Sequence, residues 1–189
     1  MNKHANCQKV LAFSVATALL LFMAACSFEK SEPTPLALDA LCADTGEYQF
    51  EGFPWGASYE SIAESVTAYE TGGSKLDGSK IYMTEQEYEL KGQNSSAELI
   101  FYHGKLGDVC FYFTLAEGGE EWYAELLKEL TALYGEAEST EKPAAIPGKA
   151  GSVEHLWKTD KTGLQLASAA SGEKVSVELK LLSREVAKW

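Results

Sequence analysis

The chain is poor in basic residues. It has 16 Lys and Arg against 28 Asp and Glu among 189 residues, a formal net charge of −12. Proteins that bind nucleic acid or anionic lipid headgroups rely on Lys and Arg to neutralise phosphate. The shortage of cations therefore argues against a nucleic-acid partner. The acidity does not indicate disorder, because 46% of the residues are hydrophobic.

Motifs that carry chemistry are also missing. The sequence has no Cys-x-x-Cys pair, no Gly-rich phosphate loop and no Gly-x-Ser-x-Gly nucleophile motif. We therefore predict no metal ion, no cofactor and no enzymatic activity. The alternative is an envelope hydrolase whose site combines residues distant in the sequence, with His103 and His155 as candidates.

No apolar run is long enough to span a bilayer comfortably. The longest, Val10 to Ala25, has 16 residues, whereas a membrane-spanning helix needs about 20. Lys3 and Lys9 precede this run, and it ends in two alanines. A basic start, a short apolar stretch and small terminal residues are typical of a secretory signal. The pattern predicts that residues 1–25 are removed.

Met23 to Cys26, Met-Ala-Ala-Cys, resembles the lipobox of bacterial lipoproteins. The resemblance implies cleavage before Cys26 and a diacylglycerol on its sulfur. Two acyl chains hold a protein on a membrane stably, whereas one does so only marginally. We therefore expect a lipid-anchored protein on the extracytoplasmic side of the cell membrane, with residues 26–44 as a lipidated tether. Without the signal the chain has 14 basic and 28 acidic side chains.

Two cysteines, Cys42 and Cys110, remain after signal removal and lipidation. Outside the cytoplasm such a pair can form a disulfide. Two free thiols are the alternative.

Hydrophobic periodicity predicts a single α+β domain over residues 45–189. Helical spacing connects Tyr59 with Tyr69, and a Gly- and Ser-rich loop over 71–80 is predicted to follow. A second helix is predicted over 119–134, followed by a loop over 136–151; its apolar stripe is Trp122, Leu126, Leu130 and Leu133. Alternating patterns predict strands at about 81–90, 96–103, 108–115, 152–159, 163–170 and 174–182. The order is helix-strand-strand-strand, twice. This predicts an antiparallel sheet with two amphipathic helices on one face, and a possible duplicated unit.

The stretch FEGFPWGASYESI, Phe50 to Ile62, resembles a helix start found in many small bacterial lipoproteins of unknown function. The matching positions are Phe50, Trp55, Gly56, Ser58 and Ile62. The layout is similar to that of SmpA/OmlA (BamE)-type lipoproteins and of β-lactamase-inhibitor-like modules. The resemblance implies a protein-binding or envelope-assembly module.

The strand pattern predicts a tyrosine-rich patch on the sheet face turned away from the helices. Side chains alternate along a strand, so with Phe111 directed into the core, Tyr112 points outward. The expected patch consists of Tyr82, Tyr88, Ile100, Tyr102 and Tyr112. Exposed apolar patches are usually covered or used, and tyrosine is common at interfaces. Leu36 to Leu41 could cover the patch and bring Cys42 to Cys110; the preferred hypothesis is a protein partner.

Overall fold

The computed structural model describes residues 31–143 and 151–187. The predicted signal and the predicted lipidation site at Cys26 lie outside these residues. From Glu32 onward the chain forms one compact unit. Within the described residues, no helix combines the length and the apolar composition needed to cross a membrane.

The described residues form a nine-stranded sheet, two α-helices and a 3₁₀ turn. The strands are β1 (Thr34–Pro35), β2 (Ala68–Ser74), β3 (Ser79–Leu90), β4 (Gln93–Tyr102), β5 (Lys105–Leu115), β6 (Glu138–Lys142), β7 (Ser152–Lys158), β8 (Thr162–Ser171) and β9 (Lys174–Ser183). The helices are α1 (Tyr59–Ile62) and α2 (Gly119–Tyr134), and the 3₁₀ turn is Leu38–Leu41. The predicted α+β class is confirmed at this level.

The sheet is almost wholly antiparallel, as expected for strands joined by hairpins. Its order is β1-β3-β4-β5-β9-β8-β7-β6, with β2 also paired to β3. The exception is β1, which runs parallel to β3. Strands β5 and β9 pair in the middle and join the β3–β5 meander to the β7–β9 meander. The sheet is therefore continuous across both halves of the sequence.

Helix α2 has the predicted bounds and covers one face of the sheet. Glu120 and Glu121 lie in its first turn, where negative charge offsets the helix dipole. The helix side chains Leu126 and Leu130 are fully buried against the sheet. The Trp122 ring lies 5.2 Å from the ring of a sheet phenylalanine. Amphipathic spacing thus predicted this element well, because its apolar stripe is long and regular.

The predicted stripe of α2 includes Leu133, and this assignment is wrong. Leu133 is 44% exposed. At the other end, Gly119 lies directly against the sheet: a Cβ added there would lie 2.8 Å from the Cβ of Val175. The absence of a side chain lets the first turn of α2 approach β9.

The first predicted helix is mostly wrong. Only Tyr59–Ile62 is helical, and Ala68–Ser74 forms β2 instead of a helix end and a loop. Tyr69 pairs with Met83 of β3 and is 52% exposed. Backbone pairing with β3 therefore overrides the helical spacing of the apolar residues. Ser58 occupies the N-cap position but its side chain makes no capping bond.

The predicted loop over 136–151 is also partly wrong, because it contains β6. This strand pairs with β7, and all five of its residues are exposed. Its charged sequence, Glu-Ser-Thr-Glu-Lys, suits a solvated edge that discourages further pairing.

The folded unit begins earlier than residue 45. Leu36, Leu38 and Leu41 are buried in the same core cluster as the sheet and α2. The Tyr134 hydroxyl donates to the Leu38 carbonyl, which ties the 3₁₀ turn to the end of α2. The predicted tether over 26–44 therefore extends too far, since the chain from Thr34 onward belongs to the domain. These leucines also pack on the helix side, so they do not cover the opposite face as one hypothesis required.

The core lies between the sheet and the layer made by α2 and the N-terminal segment. Alternate residues of the central strands enter it, as predicted from their period of two. They are Leu99, Phe101, Val109, Phe111, Phe113, Leu115, Val177, Leu179 and Leu181. Phe50, Tyr88 and Phe111 form a cluster of edge-to-face rings with centroids 5.3–5.5 Å apart.

Candidate protein-binding face

The sheet has a second face, turned away from α2, which we call the outer face. Strand registers place its side chains in rows across the central strands. One row contains Glu98, Cys110, Lys180 and Gln165. The next row contains Tyr112, Glu178, Ala167 and Glu154. Ser176, Glu178 and Lys180 are on this face because they alternate with the core residues of β9.

An ion pair is buried in the outer face. Lys180 Nζ lies 3.1 Å from Asp108 Oδ2, and the side chains are 17% and 1% exposed. The Tyr102 hydroxyl donates to the same Oδ2 at 2.9 Å. Desolvation lowers the pKa of Lys180, but Asp108, Cys110 and Glu178 together outweigh this effect, and the net shift is upward. Lys180 is therefore a fixed cation in the sheet.

The outer face also holds carboxylates whose charge is poorly compensated. Desolvation raises the pKa of Glu178, although Lys180 partly offsets the effect. Desolvation likewise raises the pKa of Glu98. Since a raised pKa means that burial disfavours the ionised form, these carboxylates are held in the face at a cost to folding.

Two acceptor atoms of the outer face lack hydrogen-bond partners. They are Oδ1 of Asp108 and Oε1 of Gln165, and both side chains are more than nine-tenths buried. Buried acceptors without donors are uncommon in folded proteins. The face thus has more acceptors than its own donors satisfy.

A cleft of about 290 Å³ opens on the outer face across β5, β9, β8 and β7. Its lining includes Tyr112, Glu154 and Glu178. Small residues also line it, among them Ala167, Ala169 and Ser176. Tyr112 is 47% exposed. The cleft combines an exposed aromatic ring with two carboxylates over a shallow floor.

No known protein family matches this chain, and no curated protein matches it either.

The structure places three of the five predicted patch residues on the outer face. Tyr112 is the most exposed of them, and Ile100 and Tyr102 are half-buried. Tyr102 also has a structural part, because its hydroxyl binds the buried Asp108. Tyr112 is therefore the residue of this patch best suited to meet a partner.

Tyr82 and Tyr88 are on the core side, so their assignment to the outer patch is wrong. Tyr82 pairs with Leu99, whose side chain enters the core, and its ring stacks on Tyr59 at 4.2 Å. Tyr88 is 3% exposed, and its hydroxyl donates to Glu51. The two tyrosines are six residues apart, so they share one face of β3 as alternation predicts, and that face is the core side.

Cys42 and Cys110 are free thiols in this structure. Cys42 packs against the core cluster on the helix side, whereas Cys110 is on the outer face of β5. The sheet thus separates them. Desolvation raises the pKa of both thiols, most strongly that of Cys110. Both thiols are therefore protonated and unreactive near neutral pH.

The two histidines named as hydrolase candidates lie on different elements. His103 is exposed in the β4–β5 turn, and His155 is on β7 with its ring 6.1 Å from that of Tyr123. Desolvation lowers the pKa of His155. Strands β5 and β7 are three intervals apart in the sheet order, which corresponds to about 14 Å. In the described part of the chain, no group of three or more His, Cys, Asp or Glu is arranged to hold a metal ion.

A second cleft, of about 480 Å³, lies on the helix side between the 3₁₀ turn and α2. Its lining includes Leu36, Leu90 and the ion pair between Lys91 and Glu129, whose charged atoms are 2.9 Å apart. This cleft adjoins the point where the N-terminal segment joins the fold.

Sequence reasoning missed the Asp108–Lys180 pair. Lys180 and Glu178 alternate with the core residues of β9, and Asp108 alternates with those of β5, so all three are on the outer face. Their proximity depends on the pairing of β5 with β9, which joins distant parts of the chain. No local pattern carries that information.

Proposed function

We propose that this chain is a lipoprotein, anchored through Cys26 on the extracytoplasmic side of a membrane, whose outer face binds another protein. The lipobox-like Met-Ala-Ala-Cys supports the anchor. The observation that carries the binding function is the cleft, which places the half-exposed Tyr112 beside the carboxylates of Glu154 and Glu178. Tyrosine beside polar groups is typical of protein interfaces.

The buried charges of the outer face support a role in recognition. Replacing a buried ion pair by well-packed apolar residues is often neutral or stabilising. The Asp108–Lys180 pair and the desolvated Glu178 are thus poor devices for stability alone. These groups hold charges of defined sign at defined positions on the sheet. Such an arrangement favours binding of a partner with complementary charges.

We also infer that the domain arose by duplication of a helix followed by four strands. The first half runs α1-β2-β3-β4-β5 and the second runs α2-β6-β7-β8-β9. The strand order is symmetric about the β5–β9 pair. On this proposal the outer cleft spans both copies, because Tyr112 comes from β5 and Glu178 from β9.

A hydrolase is the weaker candidate. The wide separation of His103 from His155 and the desolvation of His155 favour binding over acid–base chemistry. The cleft itself is lined by small, aromatic and carboxylate side chains, without a histidine.

Replacing Cys26 by Ala tests the anchor. We expect Cys26→Ala to abolish incorporation of radioactive fatty acid and to release the protein from membranes or leave an uncleaved precursor, because alanine has no thiol to acylate. Cys42→Ala is the matched control and should label normally. Membrane attachment and cleavage that survive Cys26→Ala would contradict lipidation.

Site-specific crosslinking tests the binding face. We replace Tyr112 with a photoreactive phenylalanine analogue in the membrane-bound protein. We expect a discrete crosslinked product, because the ring is exposed on the proposed interface. Leu133, 44% exposed on α2, is the control position on the opposite side. Equal products from both positions, or none from position 112, would contradict binding through the outer face.

A further inference from the structure

The outer cleft has an excess of negative charge. Glu154 and Glu178 line it, and Glu98 and Asp108 lie on the same face. Of the cations nearby, Lys180 binds Asp108, and Lys142 on the edge strand lies 2.6 Å from Glu154. Among the residues that the structure describes, both charged ones that line the cleft are thus carboxylates, whereas the cations on this face, Lys142, Lys174 and Lys180, lie outside the lining. The chain as a whole is acidic as well, so long-range attraction also favours a cationic partner.

The poorly compensated charge lies at the cleft wall. Glu178 is half-buried, and desolvation raises its pKa despite the nearby Lys180. A cation placed beside Glu178 would remove this penalty. The position of Glu178 at the cleft wall and its desolvation thus both favour a cation in the cleft.

Two buried acceptors near the cleft have no hydrogen-bond donor. Gln165 Oε1 is buried without a partner in the row next to the cleft, two positions from Ala167, which lines it. Oδ1 of Asp108 is a second such acceptor on the same face. A guanidinium group offers five N–H donors in one plane, more than any other side chain. An ammonium group is more compact and more strongly hydrated.

The shape of the cleft suits a flat group. Ala167, Ala169 and Ser176 leave space over the sheet, and the Tyr112 ring stands at one wall. Aromatic rings attract cations to their faces, and arginine is the more frequent partner. Arginine is also enriched at protein interfaces.

We propose that the cleft receives an arginine side chain of the partner protein, with its guanidinium between Glu154 and Glu178 and against the ring of Tyr112. This inference rests on the proposed protein-binding function and adds the chemistry of the contact. The rest of the outer face then contacts the partner protein around this arginine.

The test is a titration of peptides into the full-length protein in detergent micelles, with binding monitored by NMR. The probe is a short peptide whose only charged group is a single internal arginine. Matched peptides carry citrulline, which has the same shape without the charge, or lysine. For one side chain we expect a dissociation constant on the order of 1 mM. The citrulline peptide should bind at least about tenfold more weakly, since charged hydrogen bonds contribute more than neutral ones.

Glu178→Gln should weaken binding of the arginine peptide by about tenfold, as expected for loss of one charged contact. Glu129→Gln, on α2, removes one carboxylate from the opposite side and should leave binding unchanged. Glu178→Gln should fold, because glutamine has the same shape and no charge to desolvate. Its thermal midpoint should rise at pH 7.5 and match the unmodified protein at low pH, where Glu178 is protonated.

The outcomes separate this inference from the proposed function. Equal binding of the arginine and citrulline peptides to the unmodified protein would overturn the arginine proposal. So would stronger binding of the lysine peptide. If position 112 still crosslinks a partner in these cases, the binding face stands. Arginine-selective peptide binding without a crosslink from position 112 would overturn protein binding and leave guanidinium recognition in place.

Discussion

Lys180→Met is expected to lower the free energy of unfolding by about 3–5 kcal/mol, the usual cost of breaking a buried ion pair by removing one partner. Asp108 is 1% exposed, and Lys180 Nζ lies 3.1 Å from its carboxylate. Methionine fills much of the same volume but leaves that carboxylate with the Tyr102 hydroxyl and no cation. Urea unfolding at neutral pH measures the loss.

The double variant Asp108→Asn, Lys180→Met provides the control. Most of the lost stability should return, because neither a charge nor its solvation cost remains. A cost of less than about 1 kcal/mol for Lys180→Met, within the range of a surface ion pair, would show that water reaches Asp108 and that the pair is not buried.

Phe111→Ala is expected to cost about 3–5 kcal/mol, the range for removing a buried aromatic ring. Phe111 is fully buried, with its ring 5.4 Å from that of Phe50 and 5.5 Å from that of Tyr88. The cavity would open where β5, β3 and the N-terminal segment meet, so neighbouring elements could not easily collapse into it. The midpoint of chemical unfolding measures this effect.

Tyr112→Ala is the matched control, because Tyr112 adjoins Phe111 in sequence and is 47% exposed on the other face. It should cost much less, since only part of its ring is buried. Similar costs for the two variants would contradict the assignment of faces along β5.

The elements that the sequence predicted correctly are those with long, regular patterns. Helix α2 repeats its apolar residues over sixteen positions, and the strands of both meanders alternate over seven to twelve. The first predicted helix failed because an apolar spacing across Tyr59 to Tyr69 is short and fits two structures. Backbone pairing of β2 with β3 decided the outcome, and such pairing is a tertiary effect.

The candidate site was predictable only in part. Alternation along β5 predicted that Tyr112 points away from the core, because Phe111 and Phe113 point into it. The exposure of Tyr112 agrees with this. Alternation also put Tyr82 and Tyr88 together on one face of β3, but polar and apolar residues occur on both faces of this strand, so its pattern did not show which face meets the core. The carboxylate cleft depends on β5, β9, β8 and β7 being neighbours. A single sequence gives strand identities far more readily than strand order.

The early start of the fold limits how far the domain extends from a membrane. Strand β1, at Thr34–Pro35, pairs with β3 and fixes the chain there. With lipid on Cys26, as proposed, the tether has eight residues and spans at most about 29 Å when fully extended. A tether of nineteen residues, reaching residue 44, would have allowed roughly 68 Å. The short tether would thus keep the domain within a thin layer next to the bilayer. This confinement raises the effective concentration of the domain for binding to other membrane-bound proteins.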